Sequence, residues 1–314
     1  MNVQQLEYII AVDNFRHFVK AADDCHVTQP TLSMMIQKLE EELDVRIFDR
    51  SKHPVEPTAI GKQIIEQSRI SLRNFKQIKE IVETEQNVVT GSFKLGIIPT
   101  IASYIVPVLL HKHNTGYSEI DLTLKECTTG NLITELMNGT LDGGILAGPL
   151  NHPEISEYPV YYEKFYAYVS PLDDTYNEKE IDLDKIDIST VWLLANEHCL
   201  RGQIERLCKL KKNSESGAAH TVKYESGSID TLINVVDYNP GITIIPEMHA
   251  MGLNEEKQEN LRTFKNLTAV REVSLVVSKE YIRKTMLNII LEIIKSSVPK
   301  SMQNPELKTY VIDL

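Results

Sequence analysis

The sequence predicts an α/β chain in two unequal parts, a helical N-terminal module and a larger region of alternating strands and helices. Three observations carry this reading. Through residues 1–88 the apolar residues recur almost entirely at helical spacing. The period then changes. Short strand-like runs at 93–98, 120–124, 144–146, 166–170, 191–194, 241–245 and 273–277 alternate with helical stretches, the pattern of βαβ units and a largely parallel sheet. Finally, at 314 residues and 42% hydrophobic content the chain exceeds the size at which single cores stop growing, which points to about two domains.

Taken in order, Leu6, Ile9, Ile10 and Phe15 form one apolar stripe, and Phe18, Ala21, Ala22 and Cys25 a second, shorter one. Thr28 is placed as the N-cap of the next helix and Pro30 falls in its first turn, where a missing N–H does no harm. Leu32, Ile36, Leu39 and Leu43 then repeat at steps of 4, 3 and 4. Two short helices joined by the tight His26-Val27-Thr28 connection make a helix-turn-helix. Residues 45–48 and a stretch near Val55 are expected to add a small β-wing. From 58 to about 89 runs a long proline-free helix. Its Ile65, Leu72, Phe75, Ile78 and Val82 sit at near-heptad steps that suit a two-helix coiled coil and hence a dimer.

Composition removes several classes. Cys25, Cys127, Cys199 and Cys208 are too few for an extracellular disulfide framework in a chain of this length. No apolar run of about 18 residues suggests a transmembrane helix, and Met1-Asn-Val-Gln-Gln does not begin as a secretory signal. A cytoplasmic protein with reduced thiols and no membrane partner is expected. The formal net charge of -11 argues against nucleic acid if read globally. Residues 1–88 carry 11 basic and 14 acidic side chains, so a DNA contact has to rest on local placement of charge.

The segment FVKAADDCHVTQPTLSMMIQKLEEELDVRIFDRS (18–51) resembles the winged helix-turn-helix of LysR-type transcriptional regulators, with its paired alanines, T-Q-P turn and E-E-E-L run. It departs from that pattern at Asp44, where the family commonly has Gly, and at Met34, Met35 and Gln37. The resemblance continues along nearly the whole chain. It implies a winged helix-turn-helix DNA-binding domain (1–58), a dimerising linker helix (59–89) and a periplasmic-binding-protein-like effector domain of two α/β subdomains (90–314). A narrower likeness, in HCLRGQIERLC (198–208), GIIPT (96–100), SGSIDTLINVV (226–236) and GITIIP (241–246), is to the hydrogen-peroxide sensors of that family. It implies a cytoplasmic activator of oxidative-stress genes with no cofactor, a homodimer or homotetramer acting on promoter DNA with RNA polymerase. Peroxide would oxidise Cys199, and Cys208 would resolve it as a disulfide. Thr100, Thr129 and Arg271 would complete the peroxide pocket. For Arg271 the ordinary alternative is a surface ion pair.

The cysteine pair also has a chemical reading of its own. Thiolate attacks peroxide to give a sulfenic acid, which a second thiol captures. Cys199, between His198 and Arg201 near an expected helix start, has a nearby cation and a helix N-terminus, both of which favour thiolate. Cys208 follows in an apparent helix over 203–211. Nine helical steps separate the two Cα atoms by about 13.5 Å. A disulfide needs roughly 4.4–6.8 Å, so forming it requires the segment to unwind. The loops before Thr100 and Thr129 each place a hydroxyl between a strand and a helix, as either a ligand contact or a plain N-cap. Cys25 and Cys127 read as small buried hydrophobes. A zinc site from His198, Cys199, Cys208 and His220 lacks ligand spacings such as C-x₂-C, and no metal is expected.

For DNA, Thr28, Gln29, Pro30, Thr31, Ser33, Gln37 and Lys38 lie at or near the start of the recognition helix, and Arg50, Ser51 and Lys52 lie on the wing. Solvated polar faces are the plain alternative. Two other functions stay open: a regulator binding a small organic effector between the lobes, and a cytoplasmic thiol peroxidase. Against an enzyme, no nucleotide loop, metal triad or hydrolase elbow is present.

Overall fold

A computed structural model describes residues 1–85, 91–186, 190–208 and 224–312. Contacts divide the chain into two compact units, Met1–Val88 with Asn138–Thr140, and Val89–Met137 with Leu141–Leu314.

In the first unit, α1 (Val3–Phe15) opens on a reciprocal cap: the Asn2 side chain accepts from the Gln5 N–H and the Gln5 side chain accepts from the Asn2 N–H. α2 (Phe18–Asp24) and α3 (Gln29–Leu43) follow, joined through His26 in the left-handed region. Strands β1 (Phe48–Asp49) and β2 (Glu56–Pro57) pair antiparallel as the wing, and α4 (Ala59–Glu85) follows. Leu6, Ile9, Val12, Ala21, Ala22, Leu32, Ile36, Leu39, Ile47, Phe48 and Ile65 close one core. Gly61 is required by close approach, since a Cβ there would lie 2.0 Å from the Ile47 carbonyl oxygen. Asp44 ends α3 at φ 53, a left-handed position that Gly takes freely and Asp tolerates. This accounts for the departure from the family's glycine.

Three expectations change here. Phe15 and Leu43 fall at the last residues of their helices, beyond the core, and are exposed. Thr28 takes the N-cap position but does not cap, because its hydroxyl pairs with that of Thr31 at 2.8 Å. The heptad stripe of α4 also divides. Ile65 and Leu72 face the first unit's own core, whereas Phe75 and Ile78 are exposed. The side chain of Val82 lies outside the described residues.

The second unit runs β3 (Gly91–Ile97), α5 (Pro99–Gly116), β4 (Ile120–Glu126), α6 (Thr129–Met137), β5 (Gly143–Gly148), β6 (Ile155–Val169), β7 (Glu180–Ile181), α7 (Cys199–Leu207), α8 (Ile229–Tyr238), β8 (Ile242–Pro246), α9 (Glu247–Met251), α10 (Glu255–Gln258), β9 (Leu261–Phe264), β10 (Val270–Ser278) and α11 (Lys284–Ser296). The strand order is β4-β3-β5-β10-β6-β9-β7, with β8 also on β6. The sheet is mixed rather than largely parallel. β3 runs parallel to β4 and β5, while β10 is antiparallel to β5 and β6, and β6 to β8 and β9. The physical reason is β6, a 15-residue strand that supplies Ile155, Val160 and Tyr161 to one core and Phe165, Ala167 and Tyr168 to another. Two lobes therefore share two long antiparallel strands. Residues 191–194 form isolated bridges from Val191 to Ile242 and Leu194 to Ser226 instead of a strand. Among the described residues, no helix is long and apolar enough to cross a membrane.

Candidate functional site

The two cysteines occupy opposite ends of α7. His198 takes the N-cap position with its side chain making no capping bond, Cys199 is the first helical residue, and Cys208 is the C-cap. The helix thus begins four residues earlier than the sequence pattern suggests; 209–211, the end of the expected helix, lies outside the described residues, as does His220. Both thiols are free. Cys199 is half-buried and packs on the core of the first lobe, whereas Leu200, Ile204, Leu207 and Cys208 belong to the core of the second. One short helix therefore bridges the lobes. Burial pushes the Cys208 thiol up to about 11, so it is protonated at neutral pH.

A buried polar network joins β10, β6 and α5. Arg271 on β10 lies opposite Glu163 on β6 and donates from Nε to Glu163 Oε1 at 2.7 Å, with both side chains fully buried. This is not the surface ion pair of the plain reading. Nη1 of Arg271 donates to Thr100 Oγ1 at 3.3 Å, and Nη2 donates to the Thr100 carbonyl at 3.1 Å and to Tyr104 Oη at 2.9 Å. Tyr104 in turn donates to Glu163 Oε1, and the Met248 N–H donates to Glu163 Oε2. Burial alone would weaken the proton's hold on Arg271. The Glu163 carboxylate, then Tyr104, Tyr161 and Cys199, outweigh it and keep the guanidinium charged. Arg271 thus lies within electrostatic reach of Cys199. Arg201 instead binds Glu205 Oε1 at 2.9 Å and the Leu194 carbonyl at 3.0 Å.

Neither threonine is a plain N-cap. Thr100 lies inside the first turn of α5, whose N-cap is Ile98, and its hydroxyl serves Arg271. Thr129 opens α6 with a buried hydroxyl that has no partner among the described residues. Gln203, one turn after Cys199 on α7, is fully buried with both amide atoms equally unpartnered. Buried polar groups normally find partners, so the unpaired Gln203 amide, one turn from a half-buried thiol, suits a small hydrogen-bonding guest. A cleft of about 140 Å³ adjoins Thr100, lined also by Ser103, Glu126, Ser228, Asp230 and His249. There His249 Nε2 meets Asp230 Oδ1 at 3.1 Å. Gln203 was detectable from its four-residue spacing to Cys199. Glu163, Tyr104 and His249 were not, since long-range pairing alone brings them to the site.

On the first unit, Thr28, Pro30, Thr31, Gln37 and Lys38 are exposed on α3, with Gln29 and Ser33 partly so. Gln37 Nε2 donates to Glu41 at 2.9 Å. On the wing, the Ser51 N–H and hydroxyl donate to Asp49, and Lys52 pairs with Glu56. Arg50 differs from these. Its guanidinium donates to Ser33 Oγ at 3.1 Å and to the buried Glu40 Oε2 at 3.2 Å, and lies 5.1 Å from the centroid of the Phe18 ring. Glu40, which the sequence pattern hid inside an acidic run, also accepts the Ile47 and Phe48 N–H groups. Cys25 and Cys127 are half-buried against apolar cores, and burial raises both thiols.

Comparison with known proteins gives a consistent result. Residues 3–62 match the bacterial regulatory helix-turn-helix protein, lysR family, and residues 86–298 match the LysR substrate binding domain. A hydrogen peroxide-inducible genes activator of Haemophilus influenzae is 32% identical over 83% of this chain and 85% of its own length. The DNA-binding transcriptional dual regulator OxyR of Escherichia coli is 32% identical over 79% of this chain and 80% of its own. A full-length OxyR variant from Pseudomonas aeruginosa superposes with a TM-score of 0.76 at 28% identity, covering 94% of this chain and 98% of that one.

Proposed function

Because the chain belongs to the LysR family of DNA-binding transcriptional regulators, and within it resembles the peroxide-inducible activators, we propose that it senses hydrogen peroxide through Cys199 and Cys208. The observation that carries this reading is the placement of the two thiols: one half-buried at the start of α7, the other buried at its end. The Cys199 sulfur anion attacks one peroxide oxygen. The O–O bond breaks, leaving a sulfenic acid and a hydroxide that takes up a proton as water. Thr100, Thr129 and Gln203 supply hydrogen bonds to the peroxide oxygens, and Arg271 stabilises the anionic sulfur and the developing hydroxide.

The second step couples chemistry to shape. Cys208 displaces water from the sulfenic acid to form the disulfide. Two Cα atoms about 13.5 Å apart cannot be bridged while the helix persists. α7 unwinds, and because it touches both lobe cores, their arrangement changes. On this reading the regulator is cytoplasmic and dimerises through the exposed Phe75 and Ile78 face of α4. It pairs further through its effector domains and recruits RNA polymerase at pseudo-palindromic promoter DNA. Gln29, Thr31, Gln37 and Lys38 of α3, with Ser51 and Lys52 of the wing, are the contacting set. The experiment is to follow promoter occupancy and transcription in vitro before and after peroxide, in wild type and Cys199→Ser. A response that survives Cys199→Ser would favour a small effector in the cleft instead.

A further inference from the structure

The contacts of Arg50 point away from the expected DNA backbone contact. We propose that Arg50 is a positioning residue: it fixes the recognition helix α3 against the wing through Ser33, Glu40 and Phe18, and so sets which bases α3 reads without itself holding a phosphate. The inference rests on the DNA-binding reading and deepens it.

An arginine offers five N–H donors in a rigid fork. Here two of the five are committed inward, one from Nη1 to Ser33 Oγ and one from Nη2 to the buried Glu40 Oε2, and Nε is buried without a partner among the described residues. The guanidinium face is covered by Phe18 of α2. The side chain is 33% exposed, but Glu40 is only 5% exposed. Moving Arg50 out to a phosphate would strip the buried Glu40 carboxylate of its cation and leave that charge close to a polyanion, which is strongly unfavourable. Glu40 itself lies inside α3 and holds the wing backbone through the Ile47 and Phe48 N–H groups. Arg50 and Glu40 therefore join α2, α3 and the wing at one point, so their loss would change the angle at which α3 is presented.

Salt dependence separates positioning from contact. Each lost phosphate contact lowers the slope of log affinity against log salt by about 0.9, whereas a lost positioning residue leaves the slope unchanged. The test uses the full-length protein, a duplex enriched by wild type from a random-sequence library, and a shuffled duplex of equal length. Binding is read at several salt concentrations for wild type, Arg50→Lys, Arg50→Met and Glu40→Gln. The expected result is a loss of about tenfold or more in the ratio of specific to shuffled affinity in all three variants, at an unchanged slope. Arg50→Lys is decisive because it keeps the charge and loses the fork. A Lys variant that keeps the wild-type ratio overturns the proposal. So does a Met variant whose slope falls by about 0.9 with equal loss on both duplexes. A domain that is merely less stable lowers both affinities alike and leaves the ratio unchanged, which also overturns it. Should Glu40→Gln fail to fold, the two Arg50 variants still decide. Failure of wild type to enrich any sequence would remove the DNA-binding premise itself, a result distinct from all of these.

Discussion

The two ends of α7 differ in almost every physical respect. At the N-terminal end a half-buried thiol lies within electrostatic reach of a buried guanidinium, with an unpaired buried amide one turn along at Gln203. At the C-terminal end a buried thiol, raised by desolvation, sits among Ile204, Leu207 and the core of the second lobe. On the proposed reading the contrast separates two tasks: the polar end reacts, and the dry end stays silent until the helix opens. Each variant below breaks one side of that contrast.

The largest effect is expected from Cys199→Ser, which removes the reactive end and abolishes the transcriptional response, while Cys208→Ser lets a trappable sulfenic acid accumulate at Cys199. Glu163→Gln leaves Arg271 buried without its anion. A loss of about 3–5 kcal/mol is expected in urea unfolding of the effector domain. Thr129→Val removes a single hydrogen bond in the transition state, worth about 2–4 kcal/mol, and slows peroxide oxidation of Cys199 by roughly 30- to 1000-fold. Alkylation by a neutral reagent should scarcely change in the same variant. Equal oxidation rates would reduce Thr129 to a backbone element.

Smaller effects sharpen the comparison. Gln203→Met replaces an unpartnered buried amide with an apolar chain of similar length. It is expected to stabilise the reduced domain by about 1–3 kcal/mol in thermal unfolding and to slow disulfide formation after oxidation. The smallest effect concerns His249. Burial lowers its pKa, with Asp230 opposing and Arg271 adding to the fall. Its protonation therefore favours the unfolded chain. The contribution to stability is complete above about pH 6.5, the unfolded value, and is lost as the pH falls toward the lower folded value. Stability of wild type should decline more steeply than that of His249→Leu through that acid window.

Local pattern made much of the molecule legible. The T-Q-P start, the Leu32, Ile36 and Leu39 face and the Phe93, Ile120 and Val273 runs all lie on the elements their periodicity implies, because each segment's pattern matches its own burial. Sequence reasoning failed where partners come from far away. β6 reads as a short strand at 166–170 because its N-terminal half, with Pro159 and Glu163, breaks the apolar run. The structure extends it across both lobes, pairing Glu163 with Arg271. Arg201 is the nearer cation in sequence and is tied to Glu205, whereas Arg271, far away in sequence, also comes within electrostatic reach of Cys199. Arg50 looked like a free wing charge because Glu40 lay concealed in a run of three acids.

Cys199 and Cys208, held apart by one helix, are on this proposal the pair that peroxide joins. Non-reducing peptide mapping of the full-length protein, before and after brief peroxide treatment, tests it most directly. The account predicts free thiols at both positions beforehand and a single intramolecular cross-link between the Cys199 and Cys208 peptides afterwards, reversed by a thiol reductant. A bond between Cys25 and Cys127, or a Cys199 left unmodified by peroxide, would contradict it.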